Sequence, residues 1–293
     1  MASKEIATFD PSESKFPVLW EEPGSGSSFA EIVEENLGDE GFDTSVLPRY
    51  KIPSGGMLMW QSSDETEDAV KELTGVVVYW GSGRTFWVKD MDDPTRSEDE
   101  SAAPDCFSVD GKVGIGMYGK GGTLRKGAVD CASCPMNEYG SALKGAGKRC
   151  KEQRQVWMLF EGEVFPRQIV LPPTSIKPFK AYMQGLAIKM RPYHSVITKI
   201  SLTAAKNSGN IKYAVANPQF VGSLDETEAV KAKEYGATIA HMLTQAAEAR
   251  VQAASAAVEA GAPGADPSVN DPWAAGDGDV PLDDDSIPAH LQD

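Results

Sequence analysis

Val76-Val77-Val78-Tyr79-Trp80-Gly81-Ser82-Gly83-Arg84-Thr85-Phe86-Trp87-Val88 is the stretch that decides the fold class. Two runs of β-branched and aromatic residues flank Gly-Ser-Gly, which reads as two strands of a hairpin joined by a short glycine loop. A chain with such a segment near the start of its apolar material is expected to build its core around strands.

Working outward confirms the β-rich expectation on the C-terminal side. Gln155 to Phe160 and Gln168 to Leu171 read as strands around a turn at Glu161-Gly162-Glu163. Pro172-Pro173-Thr174-Ser175 then reads as the cap of a helix carrying Ile176, Phe179, Tyr182, Met183 and Leu186 at helical spacing. Val196 to Thr203 and Ile211 to Val215 form two further strands, joined by the turn Lys206-Asn207-Ser208-Gly209-Asn210. Ser223-Leu224-Asp225-Glu226 reads as a capping box, followed by a helix with Tyr235, Ile239, Met242 and Ala246 on one stripe. Between the first and second groups of strands, Gly111 to Gly127 holds seven glycines with Lys112, Lys120, Arg125 and Lys126, and reads as a flexible basic loop.

Five or more short strands interrupted by one helix give a mainly β fold with helices (α+β), of the OB-like β-barrel type. The expected organisation is an acidic, loosely ordered leader over 1–45, with a short helical candidate at Ser28 to Val33. A barrel follows over 46–222, with a cysteine-bearing insertion at about 104–151, then a C-terminal helix over 223–258 and a disordered acidic tail over 259–293. No apolar run reaches the roughly 18 residues that a membrane-spanning helix needs, and no export signal opens the sequence, so the expected location is the cytoplasm.

The formal charge of -15 over 293 residues argues at first against a polyanionic partner. Its distribution reverses that argument. Residues 1–110 carry -16, residues 111–213 carry +12 from 17 basic and 5 acidic side chains, and residues 261–293 carry eight Asp and no Lys or Arg. The basic block is interleaved with Tyr118, Tyr139, Trp157, Phe160, Phe165, Phe179, Tyr182, Tyr193 and Tyr213. Cations for phosphates and aromatic faces for unstacked bases are what single-strand binding needs, although most of these rings belong to the core.

The four cysteines are spaced Cys106-x24-Cys131-x2-Cys134-x15-Cys150. A close pair can hold one side of a tetrahedral ion while two distant thiols clamp glycine-rich loops, so Cys106, Cys131, Cys134 and Cys150 are the expected ligands of a closed structural site. Zinc is the favoured metal, and a four-cysteine iron-sulfur cluster is the alternative that ligand type leaves open.

Catalytic chemistry has little material. His194, His241 and His290 are the three histidines, no Gly-rich segment has the order of a phosphate loop, and no H-x-E or H-E-x-x-H segment occurs. A metal-dependent nuclease would need convergent carboxylates, yet the basic block holds only Asp130, Glu138, Glu152, Glu161 and Glu163.

Pro104 to Gly111, Cys131-Ala132-Ser133-Cys134-Pro135-Met136-Asn137-Glu138-Tyr139-Gly140-Ser141, Gly147 to Lys151 and Leu171 to Ser175 resemble a family of phage and plasmid proteins over roughly residues 47–245. Its general plan is similar to that of the zinc-containing phage single-stranded DNA-binding proteins. Asp283-Asp284-Asp285-Ser286-Ile287-Pro288 is similar to the acidic tip by which single-strand binding proteins recruit replication and repair partners. It departs from that tip by the inserted Ser286, by the lack of Phe after Pro288 and by continuing to Asp293.

The resemblance implies a non-catalytic single-stranded DNA-binding protein of phage replication or recombination, located in the infected host cell. Phosphate contacts are expected from Arg84, Lys120, Arg125, Lys126, Lys148, Arg149, Lys151 and Lys212. The expected stacking rings are Trp80, Trp87 and Tyr213, and Asp283, Asp284, Asp285, Ile287 and Pro288 are the expected partner contacts. A strand-annealing protein, a metal-dependent nuclease and a structural virion protein are the competing readings.

Overall fold

The longest strand, β3 (Glu72–Phe86), runs straight through the glycines that mark a hairpin in the sequence. The computed structural model describes residues 35–36, 48–64, 66–89, 104–120, 123–143, 146–163, 165–207, 210 and 212–259. The helical candidate at Ser28 to Val33, nearly all of the acidic leader and the acidic tail lie outside those residues.

The expected hairpin at Gly81-Ser82-Gly83 is therefore corrected to one continuous strand. The reason is close approach rather than turning. A Cβ on Gly83 would clash with the Gln155 side-chain amide and stand 3.2 Å from the Ser108 carbonyl, so glycine makes room for the Gln155 side chain that lies over β3 there. One edge pairs antiparallel with β7 (Lys151–Phe160) from Gly75 to Thr85, with a register shift between Val77 and Tyr79. The other edge is shared. Glu72 to Val76 pair with β9 (Val196–Lys206), and Arg84 to Phe86 pair with β4 (Cys106–Ser108).

From this seam the molecule extends in two directions. On one side β7 pairs with β8 (Arg167–Leu171), which runs parallel to β1 (Arg49–Lys51), itself paired with β2 (Gln61–Ser62). β9 pairs along its whole length with β10 (Lys212–Ser223). On the other side β4 leads to β5 (Val113–Lys120) and β6 (Thr123–Asp130). The basic loop expected over Gly111 to Gly127 is thus corrected to a β-hairpin. Gly114, Gly116, Gly119 and Gly127 sit within paired strands, and the register from Val113–Asp130 to Lys120–Thr123 is unbroken.

The result is a mixed α+β molecule with one large, mostly strand-built sheet and two long helices, α1 (Pro173–Ile188) and α2 (Glu226–Glu259). Among the described residues, no helix is long and apolar enough to cross a membrane. Phe179 and Met183 of α1 pack onto a core of Trp60, Leu73, Val77, Val156, Met158, Ile169, Leu171 and Ile200. Ala232 and Ile239 of α2 cover Val76, Val78, Trp157, Leu159 and Ile197 on the opposite face of the same strands.

Both helices begin differently from their sequence signatures. Ser175 does not cap α1; it is buried and its hydroxyl accepts the Ala216 N–H at 3.0 Å, tying the helix to β10. The capping box of α2 is Asp225 with Glu228, two residues beyond the Ser223 start. The Glu228 N–H donates to Asp225 Oδ1 at 2.8 Å and the Asp225 N–H donates back to Glu228 Oε2 at 3.3 Å.

Candidate cysteine centre and nucleic-acid interface

Register and one tight turn bring the cysteines together. Pairing of Cys106 with Phe86 on one side and Gly116 on the other fixes β4 between β3 and β5. The Cys131 N–H donates to the Lys112 carbonyl at 2.7 Å, which anchors the end of β6 beside the start of β5. Asp130 then shapes the C-x-x-C turn, its carboxylate accepting the Ser133 N–H at 3.0 Å and the Ser133 hydroxyl at 2.7 Å. Those hydrogen bonds hold the Asp130 carboxyl below its ordinary value.

All four cysteines are buried, none is in a disulfide, and all four line one cavity of about 10 Å³ together with Arg84, Phe86, Met136 and Gly114. A Cβ on Gly114 would stand 3.1 Å from Cys106 Sγ and 3.4 Å from Cys131 Sγ, so the thiols occupy the space that a side chain there would fill. Among the described residues, no three His, Cys, Asp or Glu side chains are gathered in metal-holding geometry. Burial, reinforced by Cys150, Cys131 and Cys134, pushes the Cys106 thiol far up. Burial also pushes Cys150 up to about 12 and raises Cys131, in both cases against the nearby Arg84 charge.

The cations expected to contact phosphate divide into two groups. Arg84 and Arg149 are structural in their present setting. Arg84 Nη1 donates to Asn137 Oδ1 at 2.6 Å while its Nε is buried without a partner. Arg149 donates through Nη2 to the Val88 and Trp87 carbonyls and lies over the Phe86 ring at 5.2 Å. Lys148 Nζ is 3.4 Å from Asn137 Oδ1 and 4.5 Å from the Tyr139 ring centroid. Lys212 is exposed at the start of β10, opposite Lys206, and Lys151 is half-buried at the start of β7. The backbones of Lys120, Arg125 and Lys126 lie in the β5–β6 hairpin, and their side chains lie outside the described ones.

The expected stacking rings are less open than the sequence suggests. Trp80 meets Phe179 edge-on at 5.7 Å, and Tyr213 is 7% exposed. Trp87 is half-buried with its indole N–H buried and unpartnered. The sequence reading missed Asn137, whose Oδ1 receives both Arg84 and Lys148 while its Nδ2 donates to the Cys131 carbonyl at 2.7 Å. No sequence signal marks that residue. The Asp130 turn, by contrast, could have been found from an acid immediately before C-x-x-C.

A groove of about 610 Å³ lies between α2 and the sheet, lined by Tyr79, Gln155, Trp157, Gln168, Lys112 and Val251 among others. The acids of the basic block are largely engaged elsewhere: Glu152 pairs with Arg154, Glu163 with Arg167, and Asp130 with its own turn. No family model, no curated protein and no solved structure matches the chain. Tail residues Asp283, Asp284, Asp285, Ile287 and Pro288 lie outside the described residues.

Proposed function

We propose that this chain is a non-catalytic single-stranded DNA-binding protein of phage-type replication or recombination, built on an OB-type barrel with a metal-bound cysteine module. The carrying observation is connectivity. An OB barrel links its strands in the order first, second, third, fifth, fourth and back to first, with a helix commonly placed between the third and fourth. Taking β3, β7, β8, β9 and β10 as those five, the pairings first–second, second–third, first–fourth and fourth–fifth are all present, and α1 falls between third and fourth. At the remaining position β1 runs parallel to β8, and the Ser54–Gly56 turn packs against β10.

Nucleic-acid binding on such a barrel uses the second and third strands with the loops after the first and fourth. The loop after the first strand is here the whole cysteine-bearing insertion, with Lys112, Lys148, Arg149 and Lys151. The loop after the fourth is the turn from Lys206 to Lys212. Lys112, Lys148, Arg149, Arg154 and Arg167 of the basic block lie on those elements, which supports the reading, while Lys177, Lys180, Lys189 and Arg191 lie on or just after α1.

Zinc held by Cys106, Cys131, Cys134 and Cys150 would join the ends of β4, β6 and β7 around a small core of Phe86 and Met136. The Cys106, Cys131 and Cys150 thiols, raised by burial, become thiolates most readily when a cation neutralises them, and an iron-sulfur cluster is the competing occupant. The Asp-rich tail would serve as a contact for replication or recombination proteins.

Anisotropy of labelled oligo-dT against duplex of the same length tests the reading. Single strands should bind tighter, and contact with about five phosphates gives a slope of log K against log salt near about -3.5. Equal affinity for duplex, or an affinity indifferent to salt, would overturn it. Magnesium-dependent cutting would favour a nuclease instead, and faster pairing of complementary strands an annealing protein.

A further inference from the structure

Several of the largest described rings are core. Trp60, Trp157, Phe86 and Phe179 are at most 1% exposed, so exposure of an aromatic side chain is here the exception. Among the described residues two rings are exposed, Phe220 at 41% beneath Arg191 and Tyr139, the more open, at 69%; Tyr139 is carried by the loop between Cys134 and Cys150, with Leu143 also exposed nearby in sequence.

The loop beneath Tyr139 is braced on both sides. The Asn137 N–H donates to the Cys134 carbonyl at 2.9 Å, and the Cys150 N–H to the Met136 carbonyl at 2.9 Å. The Gly140 N–H donates to the Ala146 carbonyl at 2.9 Å, and the Ser141 hydroxyl to the Glu138 carbonyl at 2.6 Å. Lys148, positioned through Asn137, holds its ammonium 4.5 Å from the ring centroid. An exposed ring on a hydrogen-bonded segment with a cation beside it loses less conformational entropy on receiving a flat partner than an unbraced one.

We propose that Tyr139 and Lys148 form a base-stacking site on the cysteine module: the ring takes the face of one unstacked nucleobase and the ammonium takes an adjacent phosphate. The assignment rests on the single-strand reading above and shifts the stacking contact away from Trp80 and Tyr213, which the core occupies. Aromatic stacking is tolerant of base identity, so the site takes single strands of mixed sequence.

The test uses the full chain. Y139A should bind oligo-dT between about 5-fold and about 100-fold more weakly, the range that loss of one base–aromatic stack gives, while Y139F keeps wild-type affinity. Melting temperature and metal content should be unchanged in both. Ultraviolet cross-linking of the wild-type chain to a bromodeoxyuridine oligomer, mapped by mass spectrometry, should place an adduct on Tyr139, a readout independent of how any variant folds. Wild-type binding with an unweakened Y139A, or an adduct map that omits Tyr139, overturns the assignment and leaves the single-strand reading standing. A wild-type chain that does not bind oligo-dT overturns both.

Discussion

Replacing Gly236 by alanine should destabilise the protein by about 2 kcal/mol, the opposite sign from helix propensity alone, which favours alanine by about 1 kcal/mol. Gly236 is where α2 comes closest to β3. A Cβ there would stand 2.1 Å from the Val78 carbonyl oxygen and 3.1 Å from its carbon, so the helix must retreat by roughly 1 Å to restore ordinary contact. A gap of that size forfeits about a quarter to a half of the dispersion well for the side chains across it. Ile239 is buried in this interface, and Tyr235 and Met242 are partly buried against it, together on the order of 6 kcal/mol of burial. Losing about half of that and regaining about 1 kcal/mol of propensity leaves the stated figure. Urea unfolding followed by circular dichroism measures it, with G185A as the matched control. Gly185 lies in α1 with nothing within 4 Å of its built Cβ, so alanine there should stabilise by about 1 kcal/mol. If G236A stabilises as G185A does, α2 does not rest on β3 and the reasoning fails.

If the cysteines hold zinc as proposed, Cys134→Ser should release one metal ion per chain and unfold the β4–β6 insertion while leaving far-ultraviolet ellipticity from the rest of the sheet largely in place. Elemental analysis that finds no metal in the wild-type chain would refute the zinc assignment, and a brown, iron-containing protein would replace it with a cluster. Glu67→Gln should cost about 1 kcal/mol near pH 7, because Glu67 is hydrogen-bonded to Arg167, which also pairs with Glu163, and is partly screened by solvent. The Arg167 hydrogen bond holds the Glu67 carboxyl below its ordinary 4.5. Its contribution is therefore complete above that value and is lost as the pH falls through the lower folded one. The gap in urea midpoint between E67Q and wild type should close in acid, and a gap that stays constant with pH would refute the linkage.

The parts of the fold that were legible in the sequence are those where local pattern and tertiary packing agree. β7 to β10 carry apolar residues that the core uses, α1 buries the Phe179 and Leu186 of its stripe, and α2 spans Glu226 to Glu259 against an expected 223–258. The two failures both involve glycine. In β3 it admits the Gln155 amide, and in β5 it makes room for Cys106, so glycine signals neighbours there rather than a turn. Local sequence cannot distinguish those cases because the neighbour is about 70 residues away in one and is set by the register of β4 on β5 in the other. The cysteine set was legible from spacing, but their shared cavity depends on β4 lying between β3 and β5. Ring exposure was not legible at all: Tyr213 and Tyr139 look alike in sequence, and only the sheet face and the loop geometry separate them.

The C-terminal helix also links the start of β9 to the β5–β6 hairpin of the insertion. At 34 residues α2 is about 50 Å long. It starts beside Ser195, whose carbonyl receives the Leu224 N–H, and by Val251 it packs with Phe107 and Ile115 of the insertion. Val251 and Gln252 line the same groove as Lys112. The later turns of α2 therefore lie at the insertion's end of the molecule, on the same side as Lys112.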